Sequence, residues 1–520
     1  MSTLPSVSVI VLNYNSLEHL PANLEALSHL DYPADRLDMV LVDNASTDES
    51  VEWVAAHYPA VRIVRNRSNL GFAAGNNVGA EAASGEWLAI LNPDIRVQPD
   101  WLRELVRPLA QDPAIVSVAS KMLNWEGTAI DFADAALNFM GWGNQPGLGS
   151  RDLHRYDTPK PLLFPCGGAM LVRRDVFLEA GGFDPAYFAY FEDVDLGWRL
   201  WLMGYKVVYA PRAVVYHRHH GSWQAVPGPK TWALSERNTL LTVLKNYNDD
   251  HLARIFPAAL LLTLQRAFLD VRPDPTAFGL PHTFIFTSWR YYAYEIGQLV
   301  RHGRFLELIR RTAAELRRRL IPNDAPPPVK LPESWQQPAE DGRFQVPAVA
   351  LSRLLAGSDV FQQWEEVMAQ RAAIQAQRQR HDEDIFPLFQ SPLLSNFGNA
   401  QFILSMNQAI GKFKLVRLFQ NGNGWKKRKP LTPEVRAASL SLSHRLLQLM
   451  AEAFAASQAD EQAFRVTGGT PAPVYEPPDR CVAFLAHANY WLWTLPDGDL
   501  PTVLAYLQQQ IDLWEQKNYA

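Results

Sequence analysis

Short β-branched and apolar runs alternate with amphipathic segments through the first 120 residues, and this alternation constrains the fold more than any other feature. The runs occupy residues 7–12, 39–42, 61–64, 86–91 and 115–119. Between them, segments such as 17–29 and 48–57 carry apolar residues at helical spacing. Strands alternating with helices predict a mostly parallel sheet covered on both faces. Ligands of such sheets bind at the carboxyl ends of the strands, so the residues there are candidate site residues.

The first two strand ends carry polar and aromatic side chains. Tyr14 follows the first strand, and Asp43 and Asn44 follow the second. A carboxylate and an amide at a strand end can hydrogen-bond a nucleobase edge, while a tyrosine ring packs on its face. The same segment also fits a helix start, in which Ser46 or Thr47 caps the next helix. The residues alone leave both interpretations open.

A glycine- and asparagine-rich segment follows the third strand. Gly71, Gly75 and Gly79 fall four residues apart, which predicts a helix packed closely against the sheet. Packing accounts less well for Asn69 and Asn76, because asparagine is unfavourable inside helices. The segment lacks the Lys-Ser/Thr of a P-loop and does not match a dinucleotide-binding GxGxxG.

Carboxylates and histidines recur at three later positions: after the fourth strand, at the start of a helix, and after an apolar pattern at 206–216. A single carboxylate in a turn or in a first helical turn is usually structural. Neighbouring histidines can simply be exposed. The occurrence of all these groups in this order favours a functional site. The carboxylates and histidines are Asp94, Glu192, Asp193, Asp195, His217, His219 and His220, and the amide of Asn92 lies two residues before Asp94.

The chain from about residue 5 to 250 resembles the family 2 glycosyltransferases of the GT-A fold, especially the bacterial branch of rhamnosyl- and related cell-surface-polysaccharide transferases. The matching segments are VSVIVLNYNS, VDNASTDES, NLGFAAGNNVG, LNPDI, GGAMLVRRDVFLEAGGFDPAYFAYFEDVDLGWRL and VVYHRHHGS, with ERN…LLTVLKNY (236–247) also similar. The resemblance implies an α/β, Rossmann-like nucleotide-diphospho-sugar transferase domain. It does not extend to the last 190 or so residues.

The resemblance implies a nucleotide site at the strand ends, where many relatives have an aspartate in place of Asn44. We therefore expect a UDP-sugar or a dTDP-sugar as donor. The nucleotide-binding residues implied are Tyr14, Asp43, Asn44, Asn69, Asn76 and Asn92.

The resemblance also implies a metal site, because Asn92-Pro93-Asp94 corresponds to the family's Asp-x-Asp motif. Asp94 would bind a divalent cation, Mg²⁺ or Mn²⁺, that bridges the two phosphates. His217 would be a further ligand, with His219 and His220 as weaker alternatives. Asparagine at position 92 removes one negative charge from the motif.

The chemistry implied is inverting glycosyl transfer to a hydroxyl of a glycan or lipid-linked acceptor. A hard divalent cation stabilises the leaving diphosphate, and a general base activates the acceptor hydroxyl. We expect Asp193 to be that base, with Glu192 and Asp195 positioning or hydrating it. Asp94, Asp193 and His217 together disfavour the alternative of a non-catalytic sugar-nucleotide scaffold or sensor. A sugar nucleotidyltransferase would need a basic, glycine-rich loop after the first strand.

The organisation expected from the sequence has four parts. A GT-A domain spans 1–235, a helical extension 236–322, a proline-rich linker 323–347 and a mainly helical domain 348–520. Few contacts should cross such a linker. We expect the last part, with helices near 361–380 and 433–454, to engage the acceptor or to mediate self-assembly into a homo-oligomer. Its aromatic residues 490–493 are expected to be core.

Composition narrows the setting. A net charge of −5 and a pI near 6.2 disfavour a nucleic-acid partner. Two distant cysteines, no signal-peptide pattern and no apolar run of the roughly 20 residues that span a bilayer predict a cytoplasmic protein. The segment 301–320 combines arginines with apolar residues at helical spacing, which fits peripheral contact with the inner face of the membrane as well as an ordinary packed helix.

Overall fold

The structure is a computed structural model of the 520-residue chain. It describes residues 4–218, 228–281, 336, 338–340, 343–419, 430–464, 474–475 and 479–519. His219, His220 and the segment 301–320 lie outside these residues, and so does the larger part of the proline-rich linker.

Within the described residues, ten strands form one mixed sheet in the N-terminal half, with the main order β10-β12-β6-β11-β4-β1-β2-β3. The short β5 and β7 pair with β12 and β6. The strands are β1 (Val7–Asn13), β2 (Leu37–Asp43), β3 (Arg62–Arg65), β4 (Trp87–Leu91), β5 (Ile95–Val97), β6 (Ile115–Asn124), β7 (Ile130–Phe132), β8 (Ala136–Leu137), β9 (Gly143–Asn144), β10 (Lys160–Pro161), β11 (Ala169–Arg173) and β12 (Lys206–His217). β8 and β9 form a separate hairpin.

The five predicted strands are all present, but the sheet is less parallel than expected. β3, β2, β1 and β4 run parallel, in a register that places Asn13 beside Asp43 at the carboxyl edge. β11 inserts antiparallel between β4 and β6. β12 is one strand rather than two apolar runs, with a register irregularity around Pro211, which has no N–H to donate to a neighbouring strand.

Eight helices of the described chain precede residue 272: α1 (Leu20–Ser28), α2 (Ser50–His57), α3 (Gly71–Ala82), α4 (Trp101–Val106), α5 (Arg174–Glu179), α6 (Glu192–Leu202), α7 (Pro229–Asn246) and α8 (Asp249–Val271). The predicted packing role of the α3 glycines is confirmed. A Cβ at Gly75 would lie 2.6 Å from the side chain of Leu12, and one at Gly79 would lie 2.5 Å from that of Ile10.

The later region is mainly helical, as expected. Its helices are α9 (Ala348–Gln362), α10 (Trp364–Ala376), α11 (Asp382–Ile385), α12 (Ala400–Lys412), α13 (Pro433–Ala456), α14 (Asp479–Thr494) and α15 (Leu500–Tyr519). The helix expected over 361–380 is interrupted at Gln363, where α9 gives way to α10. Trp491 is buried, which agrees with a core role for its aromatic cluster.

The helices of the later region pack around α8, which precedes them in the chain. The helices that contact α8 are α9, α12, α13 and α14. Among the described helices it alone is long and apolar enough to cross a membrane, and 89% of its most apolar window is buried by protein. Its apolar residues belong to a core that is continuous with that of the sheet domain.

The expectation that few contacts cross the 323–347 boundary is wrong, because three arginines after it bind carbonyl groups before it. Arg371 donates to the carbonyls of residues 244 and 247, and Arg378 donates to that of residue 246. Arg380 donates to those of residues 201, 204 and 205. The described part of the helical extension, α7 and α8, and the described C-terminal helices form one packed unit on the sheet domain, whereas the exact division into four parts stays a prediction.

Candidate functional site

A cavity of about 800 Å³ opens at the carboxyl edge of the parallel strands. One side is formed by the ends of β1 and β4 and the start of α3, and the other by the start of α6 and the loop that contains β9. Its lining includes Tyr14, Asn44, Asn69, Asn92, Asp94, Trp142, Asn144, Gln145, Leu148, Tyr190, Phe191, Glu192, Asp193, His217 and Ser235. The structure therefore brings most of the predicted site residues to one place.

The nucleotide side of this cavity has an exposed ring and a fixed amide. Tyr14 is 48% exposed, which leaves its ring free to pack on a base. Asn44 is buried and its side chain is already engaged. Its Nδ2 donates to Asn69 Oδ1 (3.3 Å) and the Gly71 carbonyl (2.9 Å), while its Oδ1 accepts from Asn66 (2.8 Å). Asn44 thus shapes the turn that begins α3.

Two predicted nucleotide-binding residues do not line the cavity. Asp43 is 4% exposed and accepts hydrogen bonds from Asn13 Nδ2 (3.0 Å) and the Ser46 amide (3.3 Å). Asn76 is fully buried and donates to the Phe72 carbonyl of its own helix. Both were placed by their position in the motif, yet their side chains turn into the fold.

The alternative interpretation of Ser46 and Thr47 as helix caps is wrong. α2 begins at Ser50, and Ser46 Oγ instead accepts from Asn13 Nδ2 and the Asn15 amide, each at 3.0 Å. Ser46 therefore joins the ends of β1 and β2.

Asp94 and His217 form a pair that faces the cavity. His217 Nε2 lies 3.3 Å from Asp94 Oδ2, and its Nδ1 lies 2.5 Å from Asp131 Oδ2. The pairing of β5 with β12 holds this geometry, because His217 lies opposite Ile95, the residue after Asp94. Burial disfavours the charged imidazole, but hydrogen bonds to Asp131 and Asp94 raise the pKa of His217 to about 9.

This pair fits a divalent cation that is shared with a substrate. No cluster of three or more His, Cys, Asp or Glu side chains suited to a metal occurs in the described part of the chain. Mg²⁺ is commonly held by one or two protein groups together with substrate phosphates and water, so two ligands suffice. Asp131 would keep the Nδ1 proton of His217 and leave Nε2 for the cation. Asp94 and His217 are thus the residues able to hold it.

Glu192 and Asp193 open α6 on the opposite side of the cavity. Asp193 Oδ2 accepts from the Gly167 amide (2.8 Å) and Oδ1 from the Val194 amide (2.8 Å). Burial raises the pKa of Asp193, while these amides act in the other direction. For Glu192, burial and the adjacent charge of Asp193 raise the pKa well above the usual value. Glu192 Oε2 has no hydrogen-bond partner among the described residues, which agrees with a protonated carboxyl.

Asp195 lies outside the cavity and is completely buried. Burial would raise its pKa, but the charges of Arg199 and Lys245 lower it to about 2. Its Oδ2 lies 2.8 Å from Arg199 Nε, and its Oδ1 lies 3.1 Å from Lys245 Nζ and 2.9 Å from Asn246 Nδ2. The carboxylate therefore ties α6 to α7 and does not reach an acceptor.

The turn that precedes α6 has an unusual backbone. Phe188, Tyr190 and Phe191 all have positive φ angles of 61°, 71° and 67°, which cost energy in residues other than glycine. Asn238 of α7 holds this turn, donating to the carbonyls of residues 187 (3.0 Å), 189 (2.9 Å) and 190 (2.7 Å). Arg237 adds hydrogen bonds to the carbonyls of residues 186 and 187.

The same turn also contacts the start of α3, on the predicted nucleotide side of the cavity. The Phe188 carbonyl accepts from the Ala73 amide at 3.1 Å. A Cβ at Gly71, whose φ is +78°, would lie 2.5 Å from that carbonyl oxygen. The position of Asp193 is therefore coupled through this turn to the start of α3.

Sequence reasoning missed three contributors to the site: Asp131, Trp142 and Asn238. Asp131 and Trp142 occur in a segment without a recognisable pattern, so no signal pointed to them. A sequence signal did exist for Asn238. It belongs to the ERN segment (236–238), whose polar residues interrupt an otherwise apolar helix.

The cavity thus combines an exposed tyrosine ring, asparagine amides, the Asp94–His217 pair and the half-buried Asp193 carboxylate, which are the groups that the predicted nucleotide-diphospho-sugar site requires. Residues 8–181 match glycosyl transferase family 2. The predicted resemblance to the family 2 glycosyltransferases is therefore confirmed for this part of the chain, and so is the predicted GT-A fold with a helical C-terminal region.

Several known proteins are similar to this region. The N-acetylglucosaminyl-diphospho-decaprenol L-rhamnosyltransferase of Mycobacterium tuberculosis is 28% identical over 238 residues, covering 41% of this chain and 76% of that protein. The O-antigen biosynthesis protein RfbC of Myxococcus xanthus is 30% identical over 240 residues, covering 44% of this chain and 18% of that protein. The structure of GalNAc-T7 with UDP, GalNAc and Mn²⁺ is 18% identical, with a TM-score of 0.40 over 50% of this chain and 52% of that one.

Proposed function

We propose that this protein is an inverting, divalent-cation-dependent glycosyltransferase that moves a hexosyl or deoxyhexosyl group from a nucleotide diphosphate sugar to an acceptor hydroxyl. The observation that carries the proposal is the cavity itself. Its lining combines the exposed ring of Tyr14, the Asp94–His217 pair and the Asp193 carboxylate.

One group of residues in the cavity would stabilise the leaving diphosphate, and another would activate the acceptor hydroxyl. Asp94 and His217 would hold a cation that, when bound, neutralises charge on the departing diphosphate as a Lewis acid. Asp131 orients His217 through the 2.5 Å contact at Nδ1. Tyr14 packs on the base, and Asn44 and Asn69 shape the pocket around it.

On the nucleophile side, Asp193 accepts the proton of the acceptor hydroxyl as that oxygen attacks the anomeric carbon. The bond from that carbon to the phosphate oxygen breaks, and its electron pair leaves with the nucleoside diphosphate. Attack from the side opposite the leaving group inverts the anomeric configuration. Burial and the charge of Asp193 raise the pKa of Glu192 well above its usual value, which favours its protonated form and leaves Asp193 as the carboxylate proposed for base catalysis.

The names of two relatives support a substrate class for this proposal. The mycobacterial relative is named for rhamnosyl transfer to a lipid-diphosphate-linked sugar, and the Myxococcus relative for O-antigen biosynthesis. We propose a UDP- or dTDP-sugar donor, a glycan or lipid-linked acceptor and a role in polysaccharide biosynthesis. We further propose action in the cytoplasm at the inner face of the membrane, with homo-oligomerisation as an additional arrangement.

A donor panel tests the proposal. Thermal stabilisation and hydrolysis would be measured with UDP-, dTDP- and GDP-sugars, each with Mg²⁺, Mn²⁺ or EDTA. A ligand that binds the native state must stabilise it by mass action, so a slow donor still registers. We expect stabilisation and slow hydrolysis by a UDP- or dTDP-sugar, both dependent on the cation. Stabilisation without hydrolysis or transfer would favour the non-catalytic sensor, and full activity in EDTA would contradict the cation role.

A further inference from the structure

The wall of the cavity beside Asp193 is formed by residues 142–148, and the C-terminal region holds it in place. We propose that this wall is an acceptor subsite in which a pyranose ring stacks on Trp142, and that the segment 390–397 is a structural part of it. This inference rests on the proposed function, because it assigns the acceptor to that same cavity.

Trp142 is held as a fixed aromatic platform. Its ring makes edge-to-face contacts with Phe191 (centroids 5.5 Å apart) and Phe397 (5.0 Å). The guanidinium of Arg266 lies 4.8 Å from its ring centroid and 3.5 Å from that of Phe397. These neighbours fix the orientation of Trp142, which is partly exposed and lines the cavity. An indole face fixed in this way suits the apolar C–H face of a sugar ring.

The C-terminal segment fastens the backbone of this wall. Asn396 Nδ2 donates to the carbonyls of residues 142 (3.2 Å) and 143 (3.0 Å). Gln390 Nε2 donates to Asp134 Oδ1 (2.6 Å) and the Ala135 carbonyl (2.8 Å) at the start of the same loop. The Phe139 amide donates to the carbonyl of residue 392 at 2.8 Å. The wall therefore depends on residues that are about 250 positions away in sequence.

The wall lies at the right place for an acceptor. A Cβ added at Gly143 would lie 3.6 Å from the Val194 side chain, so the wall runs next to the residue beside Asp193. Asn144, Gln145 and Ser235 add amide and hydroxyl groups to the lining, and these are the groups that bind sugar hydroxyls. Trp142 and Asp193 line the same cavity, so we expect a sugar on Trp142 to present a hydroxyl to Asp193.

Saturation-transfer NMR would detect the sugar directly. The probes are octyl glycosides of glucose, galactose, mannose, N-acetylglucosamine, N-acetylgalactosamine and rhamnose, with octyl tetraethylene glycol as the sugar-free control. We expect saturation of the ring protons of at least one glycoside. Trp142→Ala should remove it and Trp142→Phe should restore part of it. Trp53→Ala is the matched control, because Trp53 is a partly buried ring on α2 that stacks on His57 outside the cavity.

Kinetics with the best glycoside would then test the C-terminal contribution. Trp142→Ala, Asn396→Asp and Phe397→Ala should raise the apparent acceptor KM, by about tenfold for Trp142→Ala, with a smaller change in the donor KM. Gln508→Ala is the control, since it removes a C-terminal amide that bonds to Asp512 of its own helix. Melting curves would verify that each variant folds.

Two results would overturn the subsite. One is a wild-type protein whose ring protons receive no saturation from any probe, and the other is a folded Trp142→Ala variant with an unchanged acceptor KM. Donor hydrolysis by the wild type without acceptor separates this failure from that of the proposed function. A wild type that hydrolyses a donor, while Trp142→Ala keeps its acceptor KM, would refute the subsite alone.

Discussion

The two sides of the cavity are built in different ways. The proposed donor side consists of the ends of β1, β2 and β4 and the start of α3, together with His217 at the end of β12, and hydrogen bonds such as Asn44 to Gly71 hold its strand ends. The acceptor side joins the start of α6 to a loop that is fastened by α7 and the segment 390–397. Most of the proposed donor side thus lies within the stretch that matches the family, whereas the proposed acceptor side also uses residues 390–397.

This difference indicates which part of the chain determines specificity for the acceptor. The acceptor wall depends on a C-terminal region outside the family match, which ends at residue 181. We infer that the C-terminal region adapts a common donor site to one acceptor.

The largest effect is expected for a substitution of Asp193, which should affect transfer to the acceptor and leave donor binding nearly unchanged. Asp193→Asn should lower transfer by about 10²–10⁴-fold, because the amide cannot accept the acceptor proton. Donor binding, measured by thermal stabilisation, should change little. Near-normal turnover by the variant would exclude Asp193 as the base.

Disruption of the cation pair should affect the donor side instead. Asp94→Ala and His217→Ala should weaken both donor binding and cation dependence. Asp131→Asn should have a milder effect of about 10–100-fold on cation affinity, because it alters only the orientation of His217. Titration of Mn²⁺ in the presence of donor measures all three variants. Unchanged cation affinity in Asp94→Ala would place the cation elsewhere.

Asn238→Ala tests the connection between the two sides. Loss of its three hydrogen bonds should let the strained turn relax and should lower kcat by about tenfold to 10²-fold, since small displacements of a reacting group are costly. A smaller change is expected in the donor KM.

Asn77→Ala is the matched control for Asn238→Ala. Asn77 also bridges a distant backbone, bonding to the amide (2.9 Å) and carbonyl (2.7 Å) of Phe183, but it does not hold the turn before Asp193. Equal loss of kcat in both variants would mean that Asn238 acts through stability alone.

The smallest effect is expected for Glu192→Gln. A residue that already holds its proton loses no charge when it becomes an amide, so turnover at neutral pH should stay within a few-fold. Because burial raises the pKa of Asp193, activity should rise with pH through a value above that of an ordinary aspartate. The kcat/KM profile measures both. A Glu192→Gln variant as damaged as Asp193→Asn would reverse the two roles.

The sequence predicted which strand-end residues meet at the cavity because the signals for them are local. Strand ends identify Tyr14 and Asn44, and the glycine spacing predicts the packing of α3 on the sheet. Side-chain direction was not predictable, since Asp43 and Asn76 turn into the fold although their motif positions favour the pocket.

The acceptor side could not be predicted because its contacts join residues far apart in sequence. Neither Trp142 nor Asn396 belongs to a pattern, and only the fold places them together. The proline-rich stretch favoured an independent module, but removal of everything after about residue 323 would expose the buried apolar surface of α8. Single substitutions at the wall therefore test the C-terminal role better than truncation.

The central claim is that a cation shared by Asp94 and His217 joins the donor to the site. Crystals grown with UDP or dTDP and Mn²⁺ would be measured at the manganese absorption edge. The account predicts one anomalous peak within bonding distance of Asp94 and of His217 Nε2, with nucleotide phosphate oxygens beside it and the base on Tyr14. A bound nucleotide with no anomalous peak between these two side chains would contradict it.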